Sequence, residues 1–124
     1  SKKNTLFPKK DYWKIMSITS IANGLMESVL ERRMESIRLN NEKSEGFINK
    51  QEIRIIRTIK WLEDNWHNYD DEYLTMDQIA IACALDYTIF RFNDKWKDNN
   101  IKLNKWFDSF IKKDFMKSTL PSEK

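Results

Sequence analysis

Residues 79–85 read IAIACAL, apolar on every side of a helix, and this run constrains the fold more than any other stretch of the sequence. A helix without a polar face belongs inside a bundle rather than on its surface. Its entry is marked by Leu74-Thr75-Met76-Asp77-Gln78-Ile79. Thr75 fits an N-cap whose hydroxyl accepts from the Gln78 N–H, and the Gln78 side chain can bond back to the Thr75 N–H. Leu74 and Ile79 can pack across the first turn as a staple, and Asp77 puts a carboxylate at the positive end of the helix dipole. The pattern predicts a central buried helix over 76–92.

The surrounding sequence predicts more helices. Ile15, Ile18, Ala22, Leu25 and Val29 form one apolar stripe of a helix over 11–39 capped by Asp11, and Met26, Leu30, Met34 and Ile37 form a second, rotated stripe. Two successive faces imply two neighbours, the domain's own core and a partner domain or subunit. Residues 40–46 form a turn. A second helix over 47–66 carries Ile48, Ile55, Ile59, Leu62 and Trp66 on one face, widened by Ile56. Residues 68–73 form a polar, acidic loop and 93–102 a polar stretch. Leu103, Trp106, Phe107, Phe110 and Ile111 then follow the spacing of an amphipathic helix, with Phe115 expected to anchor the end. Only two Gly and two Pro in 124 residues leave little material for the tight turns of an all-β fold. The expectation is an all-α bundle of four to five helices in one domain over 11–117, with a linker over 1–10 and a loose tail over 118–124. The linker reads as the middle of a connection, as if the chain continued a longer protein.

The residues offer little chemistry of their own. His67 is the only histidine and Cys83 the only cysteine, so no His/Cys cluster for zinc or haem is expected and no internal disulfide can form. His67 reads as a surface or interface residue, and Cys83, inside the apolar run, as an inert core thiol. Gly24 and Gly46 make no phosphate loop. Asp70 and Asp71 read as a solvated loop rather than a metal site, and Asp86 as a position just turned toward solvent. The net charge is +3. Lys2, Lys3, Lys9 and Lys10, and Lys112 and Lys113, form short basic runs that acidic residues interrupt, so neither nucleic acid nor a membrane is the expected partner. No apolar stretch approaches the ~20 residues of a membrane span, and no signal-peptide pattern opens the chain. A soluble, cytoplasmic protein is the default expectation.

At residues 74–92, LTMDQIAIACALDYTIFRF, the sequence resembles the buried sixth helix of glutathione transferases, which that family opens with a capping box and staple. Residues 103–115 resemble the family's next helix. The segments Ile21-Ala22-Asn23-Gly24-Leu25-Met26 and Glu31-Arg32-Arg33-Met34-Glu35 resemble the fourth helix of bacterial members. The resemblance covers nearly all of the chain from residue 11. It departs from the family at Gln78, where Asp is usual, at Asp70-Asp71-Glu72, where a Gly is common, and at Lys113-Asp114, where a Pro is usual.

The resemblance implies the C-terminal, all-helical domain of a glutathione S-transferase-like parent. A thioredoxin-like N-terminal domain, absent from this sequence, would bind glutathione as co-substrate. The helical domain would supply one wall of the hydrophobic substrate site and much of a homodimer interface, and this domain alone would carry no catalytic residue, metal or cofactor. Asn23-Gly24 stands where the family can place an Asp-Gly that reaches the γ-glutamyl amine. Asn23, Met26, Leu30 and Arg33 share one face, with Arg33 toward an anionic substrate group and Trp13 at the interdomain cleft. The bland reading of the same residues is ordinary core for Met26 and Leu30 and an ion pair with Glu for Arg33. Two other functions fit less of the pattern: a non-catalytic interaction module of the same fold, and a basic helical module for nucleic acid.

Overall fold

A computed structural model describes residues 6–66, 69, 74–113 and 116. Five α-helices follow a 3-10 turn at Lys9–Asp11: α1 (Tyr12–Ser36), α2 (Glu45–Asp64), α3 (Met76–Arg91), α4 (Trp96–Asn99) and α5 (Ile101–Phe110). The described residues contain no strand. The α1 helix packs along both α2 and α3, and α5 closes the bundle against α2, α3 and α4.

The core forms where the apolar stripes meet. Ile18, Ala22, Leu25 and Val29 of α1 join Ile55, Ile59 and Leu62 of α2, with Ala80, Ile81, Ala84 and Leu85 of α3 between them. Trp96, Leu103 and Phe107 complete the cluster. Alanines at 22, 80 and 84 leave little side chain in the way, which favours close approach of α1 and α3. A second cluster of Ala82, Phe110 and Met116 gathers Leu74, Ile79 and Cys83 at its edge. Both staple residues therefore pack on one cluster at the start of α3. The predicted anchor, Phe115, lies outside the described residues, and its neighbour Met116 is fully buried.

Several expectations need correction. Helix α1 ends at Ser36 rather than at residue 39: the Arg33 carbonyl accepts from both the Ser36 hydroxyl at 2.8 Å and the Ile37 N–H at 3.2 Å, and the next N–H, of Arg38, turns to the Glu35 carbonyl at 3.2 Å. Asp11 precedes α1 but makes no side-chain cap. Helix α2 starts at Glu45, since Ser44 Oγ accepts from the Phe47 N–H at 3.1 Å. Ile56 does not widen the core face; it is 62% exposed. The stretch 93–102 is not a plain polar connection, because it holds α4 with Trp96 buried. Asp86 is not turned toward solvent: it is only 2% exposed and has its own partners.

Glu63 on α2 supplies the start of α5. Its carboxylate accepts from the N–H groups of Leu103 at 2.9 Å and Lys102 at 3.2 Å. Those are free donors of the first helical turn, and a carboxylate also suits the positive end of the dipole.

Candidate functional site

Helix α3 begins where the sequence places it, with Thr75 as an extended N-cap. Its wiring differs from a simple capping box. The Thr75 hydroxyl donates to Asp77 and accepts from Gln78 Nε2 at 3.1 Å, so it takes no backbone N–H. The Gln78 N–H instead bonds the Thr75 carbonyl at 3.1 Å. The hydroxyl gives its proton to the charged Asp77, a strong acceptor, and its oxygen accepts from the Gln78 side chain in place of the Gln78 N–H. Asp77 is buried, and its second oxygen accepts from the Tyr69 phenol at 2.5 Å. Burial, followed by the bond to Asp77 and its charge, pushes the Tyr69 phenol well above its ordinary range, so Tyr69 stays protonated. The N–H of Met76 donates to the Leu6 carbonyl at 3.1 Å, which ties the segment before α1 to this helix start. This network anchors the central helix and offers no nucleophile.

Cys83 is half-buried, and burial followed by the charge of Asp86 pushes its thiol up. A thiol held protonated is a poor nucleophile. Among the described residues no group of His, Cys, Asp and Glu could hold a metal ion, and no helix is long and apolar enough to cross a membrane. His67, Asp70 and Asp71 lie outside the described residues, as do Lys2 and Lys3.

The α1 face remains as the candidate site. Asn23 is exposed, Met26 is half-buried against the core, Leu30 is 46% exposed and Arg33 is half-buried. Met34 and Ile37 continue this stripe outward at 56% and 57% exposure. Beyond Met26, the second stripe of α1 thus stays exposed among the described residues, whereas the first is wholly buried. Arg33 makes no ion pair among the described residues. Its neighbours do: Arg32 meets Glu52 at 2.8 Å, and Glu35 meets Arg38 at 3.1 Å. Arg32 is further held over the Phe92 ring at 4.7 Å, a link from α1 to the end of α3. Trp13, near the other end of α1, is 80% exposed and touches Tyr12 edge-on at 5.1 Å between ring centres. It does not join the other four candidates.

Beside Gly24 the surface dips into an open depression of about 440 Å³ between α1 and α2. Glu27, Ser28 and Glu31 line one side and Arg54 and Thr58 the other. These residues were not anticipated as site residues. The signal was present in the spacing of Gly24, Glu27, Ser28 and Glu31, which share one helical face.

No protein-family model matches the sequence, and no curated protein matches it. Solved structures do match. A glutathione transferase family member from Pseudomonas fluorescens Pf-5 with bound S-(propanoic acid)-glutathione is 25% identical at a TM-score of 0.86, covering 94% of this chain and 62% of its own. The same family member with bound glutathione matches equally well over 58% of its length. A glutathione S-transferase from Methylobacillus flagellatus KT with GSH bound is 20% identical, again with a TM-score of 0.86, over 94% of this chain and 60% of that one. The chain thus spans about three-fifths of each of these proteins, and it has the all-helical fold of a glutathione transferase C-terminal domain.

Proposed function

We propose that the chain is the substrate-side and dimerisation domain of a glutathione S-transferase-like, cytoplasmic protein. The observation that carries this reading is the match over 94% of the chain to structures that hold glutathione or a glutathione conjugate. In it, a thioredoxin-like domain of the same parent binds glutathione and lowers the pKa of its thiol by hydrogen bonding. The thiolate then attacks an electrophile, or exchanges with a disulfide, against a wall built by α1. Met26 and Leu30 supply the apolar part of that wall. Arg33, which makes no ion pair among the described residues, is available to an anionic group of the substrate. Asn23 offers the γ-glutamyl amine an uncharged acceptor, a weaker contact than the charged Asp it replaces. Trp13 serves the interdomain cleft, and the outward stripe of Leu30, Met34 and Ile37 suits a homodimer contact.

The test is made on the parent protein that carries the residues before Ser1. Retention on glutathione resin and conjugation of a chlorodinitrobenzene are the expected results. If the parent shows neither, the transferase reading fails. The non-catalytic interaction module then stands in its place, a reading that the neutral Asn23 already favours. A thioredoxin-like domain with a Ser, Cys or Tyr near its start supports the enzyme, and its absence supports the module.

A further inference from the structure

Away from the α1 face, α2, the end of α3 and α4 enclose a hollow of about 430 Å³. Ile55, Ile59 and Trp96, all buried, line it, together with half-buried Phe92 and the exposed Ile56. No residue of α1 contributes, so the hollow is separate from the wall proposed above. Its size falls within the range of small-molecule sites, and its lining has their usual character of an apolar interior with a few polar groups.

The polar groups differ in what they are free to do. Thr88 spends its hydroxyl on the Ala84 carbonyl at 2.8 Å, and Asn93 Oδ1 accepts from the Lys95 N–H at 3.0 Å. Lys60 is tied to Asp64 at 2.9 Å. The Lys95 ammonium makes no ion pair among the described residues, and no carboxylate lines the hollow. The Trp96 indole N–H and Asn100 Oδ1 are buried without a partner among the described residues, although buried polar atoms as a rule find one. An apolar interior edged by a cation that makes no ion pair among the described residues selects a ligand with an apolar tail and a single negative charge. A wall of three isoleucines suits a flexible methylene chain.

We infer that this hollow is a binding site for a medium-chain fatty carboxylate, with its tail along Ile55, Ile59 and Trp96 and its head group at Lys95. A neutral alcohol of the same length leaves Lys95 unused, and an amine meets it with like charge.

The experiment is an amide NMR titration of the 124-residue chain with decanoate, decanol and decylamine, each kept monomeric. Saturable shifts are expected at Ile55, Ile59, Thr88 and the Trp96 indole, with decanoate bound about tenfold more tightly than decanol and decylamine weakest. Lys95→Glu should weaken decanoate about tenfold and leave decanol unchanged. Ile56→Asp, which puts a carboxylate at the mouth, should weaken decanoate as well. Both positions are exposed, so both variants are expected to keep the wild-type helical spectrum. Three outcomes overturn the assignment: no saturable shift at these residues, equal binding of the three compounds, or shifts centred on Leu30, Met34 and Ile37.

Discussion

Glu63 offers a sharp test of how this bundle is held together. Its carboxylate is the only side-chain group seen at the start of α5 among the described residues, where Asn100 makes no side-chain cap. Glu63→Ala removes both acceptors and strands two N–H groups of the first turn. A side-chain cap is worth about 0.5–2 kcal/mol, and a charged acceptor puts this one toward the upper half of that range. Partial exposure of Glu63 argues against more, so we expect a loss of about 1.5 kcal/mol. For a domain of this size that lowers the melting temperature by roughly 5–9 °C. Leu103, Phe107 and Phe110 remain buried and keep α5 docked, so the helix should fray from its start rather than detach. Urea melts followed by circular dichroism give the global effect, and hydrogen exchange at the Lys102 and Leu103 amides gives the local one. Glu63→Gln keeps an acceptor without the charge and should fall between wild type and Ala. An unchanged midpoint together with unchanged exchange at those two amides would refute the cap.

Four further outcomes follow from the same geometry. Tyr69→Phe leaves the buried Asp77 short of a donor and should cost about 1–3 kcal/mol by urea melts. The folded-state pKa of Tyr69 is raised above the ordinary value of 10.0, so its contribution is complete below pH 10 and is lost as pH rises beyond it. Wild-type melting temperatures should therefore fall more steeply above pH 10 than those of Tyr69→Phe. Leu85→Ala opens a cavity at a fully buried site and should cost about 2–5 kcal/mol, read as a shifted urea midpoint. Met34→Lys, at an exposed site, should change stability by less than about 0.5 kcal/mol, while sedimentation of the parent should show weakened self-association if the stripe is a dimer contact. Arg33→Ala should leave the melt of this chain unmoved and, in the parent, raise KM for an anionic electrophile more than for a neutral one.

What could be read from the sequence depended on how local the physics is. The central helix was legible because IAIACAL is apolar at every register, so no tertiary detail is needed to bury it. The α5 stripe and the first α1 stripe were legible by spacing alone. Short α4 was not, because a single Trp among polar residues carries no period. Asp77 and Asp86 were misjudged or half-judged for another reason. A carboxylate is buried only if partners reach it, and Tyr69, which reaches Asp77, sits outside the helix that carries it. The bond from Glu63 to α5 spans 40 residues of sequence and leaves no local trace. At the candidate site, spacing put Asn23, Met26, Leu30 and Arg33 on one side of α1, but that Arg32 is the arginine that pairs with Glu52, 20 residues away, left no local trace.

The two stripes of α1 also explain why one helix can serve two purposes. Helix α1 has 25 residues, whereas α3, packed along it, has only 16. At about 1.5 Å per residue, roughly two and a half turns of α1 have no counterpart on α3. The inward stripe ends at Val29, and Arg32 makes the last link across to Phe92. Beyond that point Met34 and Ile37 are apolar but do nothing for the core. Their exposure lies where α1 runs past its link to the end of α3. It follows that folding and association are separable on this helix. Residues up to Val29, with Arg32 and Glu35 after it, answer to the bundle, and the exposed Met34 and Ile37 answer to whatever the rest of the protein, or a second copy, brings against them.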